Sequence, residues 1–183
     1  MYNFVIIHGT LGHPFENWIP WVFKELKSQN KNVLVPQFPS PEDQNWENWE
    51  NVLLCYKHFF NDETVFIGHS LGASFVANFI VKNELKAKKL ILVSGLYQNI
   101  GIKEFDDLNQ TFFKKPEMLL KLKSQVKNIE AIFGNDDPYL TQEILNDFAD
   151  LCGAKKTIIT GGGHLNEASG YLAFPLLIDI IAN

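Results

Sequence analysis

Short runs of apolar, β-branched residues alternate along the chain with longer stretches in which apolar residues recur every three or four positions. The first pattern is typical of buried strands and the second of amphipathic helices. The pattern predicts six strands, at 3–8, 32–36, 64–67, 89–94, 129–134 and 156–160, and helices near 18–26, 46–60, 73–83, 141–151 and 171–182. Strands alternating with helices indicate a three-layer α/β/α fold, in which helices cover both faces of a mostly parallel six-stranded sheet.

One long interval, residues 96–128, separates two predicted strands without a clear single helix. Its apolar residues allow a small helical flap at 97–128: Phe105, Phe112, Phe113, Met118 and Leu119. The alternative is an ordinary crossover helix with a long entry loop, since parallel strands require such a connection. At 183 residues, the chain is predicted to form one domain, 1–183.

Composition narrows the range of partners. The net charge is −5, and all 16 basic residues are lysine. Arginine, the residue best suited to bidentate recognition of phosphate or carboxylate, is missing from the sequence. We therefore expect no nucleic-acid partner and no strongly anionic substrate. No apolar run approaches bilayer length and no leader is recognised, so a cytoplasmic protein without membrane contact is expected. Cys55 and Cys152 are predicted to be reduced packing residues.

The pentapeptide Gly68-His69-Ser70-Leu71-Gly72 follows a predicted strand and opens a predicted helix. This setting is typical of a nucleophile elbow, a sharp strand-to-helix turn that exposes the serine hydroxyl above the end of a sheet. The turn forces the serine into a strained left-handed conformation and needs neighbours without bulk. Gly68 and Gly72 meet that need. Ser70 is therefore the candidate nucleophile.

A serine hydroxyl needs a base to activate it and a third group to orient that base. Candidates follow the last two strands: Asp136-Asp137 in one turn and His164 in the next. The order Ser70, Asp137, His164 is that expected for an α/β-hydrolase. Asp137 is preferred to Asp136 because it immediately precedes Pro138. Packing or loop roles are expected for the other histidines, with His13 a weaker candidate for the mouth of the site: His8, His13, His58 and His69.

An oxyanion hole needs two donors aimed at the developing negative charge. The backbone N–H of Leu71 is one candidate. The other is expected in the loop Gly9-Thr10-Leu11-Gly12, with the N–H of Thr10 first and that of Leu11 second. Because backbone groups act here, Thr10→Ala is expected to cost little. A dinucleotide-binding turn is disfavoured, since the Gly-x-Gly-x-x-Gly spacing is incomplete, and no His-Glu-x-x-His or similar cluster is present. We predict neither cofactor nor metal.

Several segments together resemble the small α/β-hydrolases of the serine hydrolase family that includes retinoblastoma-binding protein 9 and bacterial YdeN-like proteins. They are Ile7-His8-Gly9, Asn17-Trp18-Ile19-Pro20-Trp21, the elbow, Asp136-Asp137-Pro138-Tyr139, and Gly163-His164-Leu165-Asn166 with Ser169-Gly170. The resemblance implies a minimal α/β-hydrolase fold, lacking the first two strands of larger relatives, with Ser70, Asp137 and His164 as its triad. Residues 171–175 depart from it, because a more Gly/Trp-rich stretch is expected there.

The expected function is hydrolysis of a small, neutral or apolar ester or thioester through an acyl-enzyme on Ser70. Peptidase or amidase activity needs the same residues and stays open. The alternative from another class is a weakly active or non-catalytic protein-interaction module on a hydrolase scaffold, because a fold alone does not establish activity. The expected partners are a small ester-like substrate and, under the alternative, another protein.

Overall fold

The computed structural model describes residues 1–182. They contain a six-stranded sheet in the order β2-β1-β3-β4-β5-β6. Every neighbouring pair of strands runs parallel. The strands are β1 (Phe4–Ile7), β2 (Val33–Leu34), β3 (Val65–His69), β4 (Ala87–Val93), β5 (Val126–Gly134) and β6 (Lys155–Ile159). The predicted α/β architecture is confirmed, and all six strands lie within two or three residues of their predicted positions.

Helices cover both faces of the sheet because successive strand residues point to opposite sides. In β1, Val5 and Ile7 join one apolar cluster while Phe4 and Ile6 join the other. The first cluster packs under α2 (Trp46–Leu54), α3 (Leu71–Lys82) and α6 (Gln142–Cys152), and the second under α1 (Ile19–Ser28) and α7 (Pro175–Ala182). Strands buried on both faces explain the continuous apolar runs in the sequence.

Two predicted helices are longer than the observed ones. Helix α2 ends at Leu54 and is followed by a 3₁₀ turn, Lys57–Phe59, which returns Phe60 to the core against Phe66. The helical spacing of apolar residues thus continued past the end of α2, because residues after the helix are also buried. Helix α7 begins at Pro175 rather than Tyr171, since proline disfavours helical backbone in the residue before it. Cys152 is buried as expected, but Cys55 follows the end of α2 and is exposed, which corrects its assignment as a packing residue.

The interval between β4 and β5 holds three short helices rather than one crossover helix. They are α4 (Lys103–Asn109), a 3₁₀ helix (Pro116–Lys121) and α5 (Leu122–Gln125). Phe112 fixes this segment to the body of the protein, because its ring packs 4.9 Å from that of Trp49. Across residues 1–182, no helix has the combined length and apolarity that a bilayer crossing requires.

Candidate active site

Ser70 stands between β3 and α3 with φ 54° and ψ −124°, so the turn has the positive φ that the motif predicts. Its N–H donates to Val93 O at 2.8 Å, which ties the turn to β4. The flanking glycines are required by close contacts. A Cβ on Gly68 would lie 2.5 Å from Ala73 Cα, and one on Gly72 would lie 2.3 Å from His8 O. These short residues let helix and strand approach closely enough to form the elbow.

The structure separates the two adjacent aspartates. Asp137 Oδ2 lies 2.7 Å from His164 Nδ1, and the Asp137 side chain is fully buried. Its other oxygen accepts the N–H groups of Tyr139 and Leu140, at 2.9 and 3.0 Å. Asp136 instead accepts the N–H of Gly163 at 2.8 Å. Because a carboxylate only accepts, His164 Nδ1 carries the proton in this pair and leaves Nε2 as the free acceptor.

Residues 160–166, here called the His loop, are held by side chains from elsewhere in the chain. Trp18 Nε1 donates to Leu165 O at 3.0 Å, and Asn17 Oδ1 accepts the N–H of Glu167 at 2.8 Å. The tryptophan-rich segment therefore braces the loop that carries the histidine. Sequence reasoning singled out this segment through the resemblance but gave it no role.

The residues after His164 complete the brace. Ser169 Oγ accepts the N–H of His164 at 3.2 Å. Asn166 in turn caps the 3₁₀ helix Glu167–Ser169, since its Oδ1 accepts the N–H of Ser169. An asparagine just before a short helix is a recognised capping signal. The Gly-His-x-Asn segment thus has a structural role, because its hydrogen bonds fix the backbone of His164.

A buried histidine lies behind the His loop. His69 Nε2 lies 3.1 Å from His164 O, and a carbonyl can only accept, so His69 is the Nε2–H tautomer. Its ring centroid is 5.1 Å from that of His164. Burial, followed by the nearby His164, lowers the pKa of His69 to about 3. His69 is therefore a neutral support for His164, in line with the packing role expected from the sequence.

Residues 9–12, here called the β1 loop, lie on the other side of Ser70. Gly12 N–H donates to Gly9 O at 3.2 Å, and Leu11 has φ 57°, so the loop is a tight turn. A Cβ on Gly9 would lie 3.0 Å from Ser70 Cβ, which places the turn directly against the nucleophile. The N–H of Leu11 donates to Gln44 Oε1 at 3.3 Å and is thereby engaged. Thr10 stays the first candidate for an oxyanion donor on this side.

The N–H of Leu71, the other predicted oxyanion donor, lies where a free N–H is expected. Leu71 is the first residue of α3, and the first N–H groups of a helix have no partner within it.

Behind the β1 loop, His8 Nδ1 lies 2.9 Å from Gly9 O, and its Nε2 accepts the N–H of Phe38 at 3.1 Å. Burial lowers the pKa of His8 to about 4. The imidazole thus fixes the backbone where β1 ends, a more specific role than the packing or loop role expected from the sequence.

A cavity of about 460 Å³ opens above Ser70 and His164. One wall is apolar and combines Leu140 with Ile100, Ile102 and Phe105 from the segment before β5. The lining also contains polar side chains, here called the polar wall: Glu16, Asn17 and Asn166. Glu16 is the one carboxylate in the lining formed by residues 1–182, and burial raises its pKa.

His13, the weaker candidate for the mouth of the site, and three phenylalanines lie away from the cavity. His13 is exposed and its Nδ1 accepts the N–H of Phe15 at 3.2 Å, so it does not line the cavity. Phe112 is buried in the core, and Phe113 packs against that core. Phe174 packs on Trp18 in the opposite layer, at 5.9 Å between ring centroids.

Within residues 1–182, no cluster of three or more His, Cys, Asp or Glu side chains is arranged to hold a metal ion.

A parallel sheet with a positive-φ serine between strand and helix, together with a His–Asp pair at the same edge, defines an α/β-hydrolase. The model of one family in this class, described as serine hydrolase, matches residues 4–183, and the chain belongs to that family.

Two relatives are similar over most of their length. YdeN of Bacillus subtilis (strain 168) is 25% identical over 181 residues, covering 97% of this chain and 93% of YdeN. Serine hydrolase RBBP9 of Rattus norvegicus is 27% identical over 166 residues, covering 89% and 87%. Both alignments span nearly the whole chain, so the likeness is not confined to the elbow.

Solved structures agree with this fold. The crystal structure of the B. subtilis ydeN product has a TM-score of 0.88 at 23% identity, covering 100% of this chain and 97% of that one. Est1E from Butyrivibrio proteoclasticus, solved with ferulic acid bound, has a TM-score of 0.70 at 16% identity, covering 98% and 89%. At these identities the likeness shows the shared α/β-hydrolase fold.

Proposed function

We propose that this hydrolase cleaves small neutral or apolar esters and thioesters through an acyl-enzyme on Ser70. The observation that carries the proposal is the buried Asp137–His164 pair, 2.7 Å apart, because His164 lines the same cavity as Ser70. A serine, an imidazole oriented by a carboxylate and a cavity shared by both are the requirements of acyl transfer.

In the proposed reaction, His164 Nε2 accepts the proton of Ser70 as the hydroxyl oxygen attacks the acyl carbon. Asp137 stabilises the resulting imidazolium, and the same proton then passes to the leaving alkoxide or thiolate. Water repeats the sequence on the acyl-enzyme and releases the acid. Among residues 1–182, no hydrogen bond joins Ser70 Oγ to His164 in this state. Such bonds often tighten only when substrate binds, so the proposed proton transfer requires Ser70 Oγ and His164 Nε2 to come into hydrogen-bond contact in the substrate complex.

The negative charge of the tetrahedral intermediate needs donors on the far side of Ser70 from His164. We assign this role to the backbone N–H groups of Leu71 and Thr10. The helix that begins at Leu71 adds the positive end of its dipole. The engaged N–H of Leu11 supports Thr10 over Leu11 as the second donor.

The cavity supports the substrate class. Its volume falls within the range of small-molecule sites, roughly 300–1,000 Å³. The apolar wall of Ile100, Ile102 and Phe105 suits an uncharged acyl chain, and the polar wall carries a carboxylate that disfavours anionic groups. Short to medium acyl groups are therefore the expected substrates, with leaving-group preference deciding between ester, thioester and amide.

The test is covalent labelling with a fluorophosphonate probe, comparing wild type with Ser70→Ala and His164→Ala. All three proteins are first shown to be folded by circular dichroism and cooperative unfolding. We expect labelling of wild type alone, followed by turnover of p-nitrophenyl acetate and butyrate. Folded wild type that neither labels nor turns over any ester would contradict the proposal and favour the interaction-module alternative.

A further inference from the structure

We propose that Gln44 and Asn109 are positioning residues that hold the β1 loop, and with it the Thr10 N–H, in place beside Ser70. The inference rests on the proposed function and extends it to two side chains that do not line the cavity above Ser70. It also gives the Thr10 side chain a role, contrary to the expectation that replacing it costs little.

Gln44 holds the β1 loop by a hydrogen bond to the loop backbone. Its Oε1 accepts the N–H of Leu11 at 3.3 Å and also the hydroxyl of Ser40. Its Nε2 donates to Asn109 Oδ1 at 2.7 Å. Gln44 is only 6% exposed, and a buried amide left without these partners would be costly. The side chain is therefore fixed, and so is the loop N–H that it accepts.

Asn109 grips the same loop through a side chain. Its Oδ1 accepts the hydroxyl of Thr10 at 2.9 Å as well as the Gln44 amide. Its Nδ2 donates to Phe105 O at 2.8 Å within α4. Asn109 is completely buried. Its carbonyl oxygen thus joins Thr10 and Gln44, and its amide nitrogen sets the orientation of the group.

The β1 loop needs such a brace because its conformation is strained. Leu11 has φ 57°, a region that costs a residue with a side chain free energy and persists only where surrounding contacts enforce it. Leu11 itself is 62% exposed, so its side-chain packing cannot enforce this conformation. The hydrogen bonds to Gln44 and Asn109 enforce it, in addition to the turn hydrogen bond from Gly12 N–H to Gly9 O. Without them the turn relaxes, and the adjacent Thr10 N–H rotates away from Ser70.

The brace also connects two parts of the cavity. Asn109 ends α4, and the same segment supplies Ile100, Ile102 and Phe105 to the apolar wall. The position of that wall and the position of the oxyanion donor are thereby set by one buried side chain. An effect confined to the developing charge appears in kcat, whereas an effect on the wall appears in KM.

The decisive comparison is Thr10→Val against Thr10→Ser. Valine keeps the shape of threonine and loses the hydroxyl that donates to Asn109, whereas serine keeps that hydroxyl. We expect Thr10→Val to lower kcat about tenfold to a hundredfold with KM changed less than about threefold, since a displaced oxyanion donor weakens binding of the transition state only. Thr10→Ser is expected to recover most of the loss. Gln110→Ala, at the exposed neighbour of Asn109, is the matched control.

A second readout excludes a merely structural explanation. The affinity for a trifluoromethyl ketone, which forms an oxyanion on Ser70, should fall in proportion to kcat, while product inhibition stays unchanged. Asn109→Ala also removes the hydrogen bonds to Gln44 and Phe105 O, so it should lower kcat at least as far as Thr10→Val and raise KM as well. The double variant should lose no more kcat than Asn109→Ala alone, because that variant already removes the Thr10–Asn109 hydrogen bond. If Asn109→Ala does not fold, the two Thr10 variants decide the matter.

The two proposals fail in different ways. Unlabelled, inactive wild type would overturn the proposed function. Active wild type together with Thr10→Val that keeps full kcat, or that changes KM alone, would overturn the positioning role and leave the hydrolase assignment intact. Loss of activity in Thr10→Ser equal to that in Thr10→Val would also overturn it.

Discussion

The His loop and the β1 loop face each other across Ser70 and have the same design. Each follows the end of a strand and contains a residue with positive φ, Leu165 at 51° and Leu11 at 57°. Each also has a buried neutral imidazole behind its backbone, His69 on one side and His8 on the other. Both loops are therefore held in strained conformations by contacts outside themselves.

The two loops differ in where their braces come from. The His loop is held by Asp136 and Asp137, which follow β5, the strand next to the one that leads into the loop, and also by Asn17 and Trp18. The β1 loop is held by Gln44 and by Asn109 of the irregular segment between β4 and β5. The turn that follows a neighbouring strand thus contacts the base directly, whereas the proposed oxyanion donor depends on the segment between β4 and β5. Changes on the first side should abolish activity, and changes on the second should tune it.

The largest expected effect comes from breaking the His-loop side. Asp137→Asn keeps the shape of the carboxylate but loses its charge, and should lower kcat by about 10⁴-fold. Asp136→Asn should keep most activity, because its amide oxygen still accepts the N–H of Gly163. Steady-state kinetics on a p-nitrophenyl ester compares the two variants. Equal losses would mean that the pair acts as a structural unit and that Asp137 has no separate chemical role.

Gly72→Ala tests how tightly the elbow fits against the β1 side. The added Cβ would lie 2.3 Å from His8 O and 2.7 Å from Ile7 O, both backbone atoms. We expect the free energy of unfolding to fall by about 3 kcal/mol, at the upper end of overpacking costs.

Gly101→Ala is the comparison for Gly72→Ala, since a Cβ there meets nothing within 4 Å although φ is +84°. It should cost only about 1–2 kcal/mol, the penalty of a left-handed residue. Urea unfolding measures both variants. A smaller loss for Gly72→Ala than for Gly101→Ala would show that the close contact at the end of β1 is not maintained.

The buried histidines predict that stability falls in acid. An unfolded histidine titrates near 6.5, whereas burial holds the pKa of His8 at about 4 and that of His69 at about 3. Between those values only the unfolded chain binds the proton. The free energy of unfolding is therefore unaffected by the titration of these histidines above pH 6.5. It falls as the pH drops below that value, by about 2 kcal/mol for each histidine at pH 5.

Urea unfolding at pH 7 and pH 5 measures this loss, and His8→Gln and His69→Gln separate its two parts. Each variant should flatten the pH dependence by about 2 kcal/mol relative to wild type. Unchanged pH dependence in His69→Gln would indicate that His69 is not a buried neutral support of the His loop.

The smallest effect concerns the apolar wall. Phe105→Ala removes a ring from the cavity and keeps the backbone carbonyl that Asn109 uses. KM for a hexanoate ester should rise about fivefold with kcat unchanged. The lost contact stabilises the bound substrate and the transition state equally, so its removal weakens binding without changing the barrier between them. The acetate ester is the matched substrate and should show little change. A fall in kcat for both esters would mean that the ring supports the oxyanion side instead.

The sequence by itself determined the α/β fold, its six strands and the elbow. These features depend on local patterns, because apolar runs report burial on both faces of a sheet and the Gly-x-Ser-x-Gly turn is set by sterics within five residues. Ser70 and the pair of turns that hold Asp137 and His164 followed from the same local logic. Helix ends were less certain, since α2 and α7 are limited by a turn and a proline whose effects the apolar spacing does not report.

The sequence already favoured Asp137 over Asp136 and Thr10 over Leu11, whereas only the tertiary structure showed that His8 supports the backbone at the end of β1 and that Gln44 and Asn109 contact the β1 loop. Each of these depends on hydrogen bonds between residues distant in sequence, such as Thr10 with Asn109 or Trp18 with Leu165. No local periodicity encodes such a bond, because its partners meet only when the sheet has brought the loops to one edge.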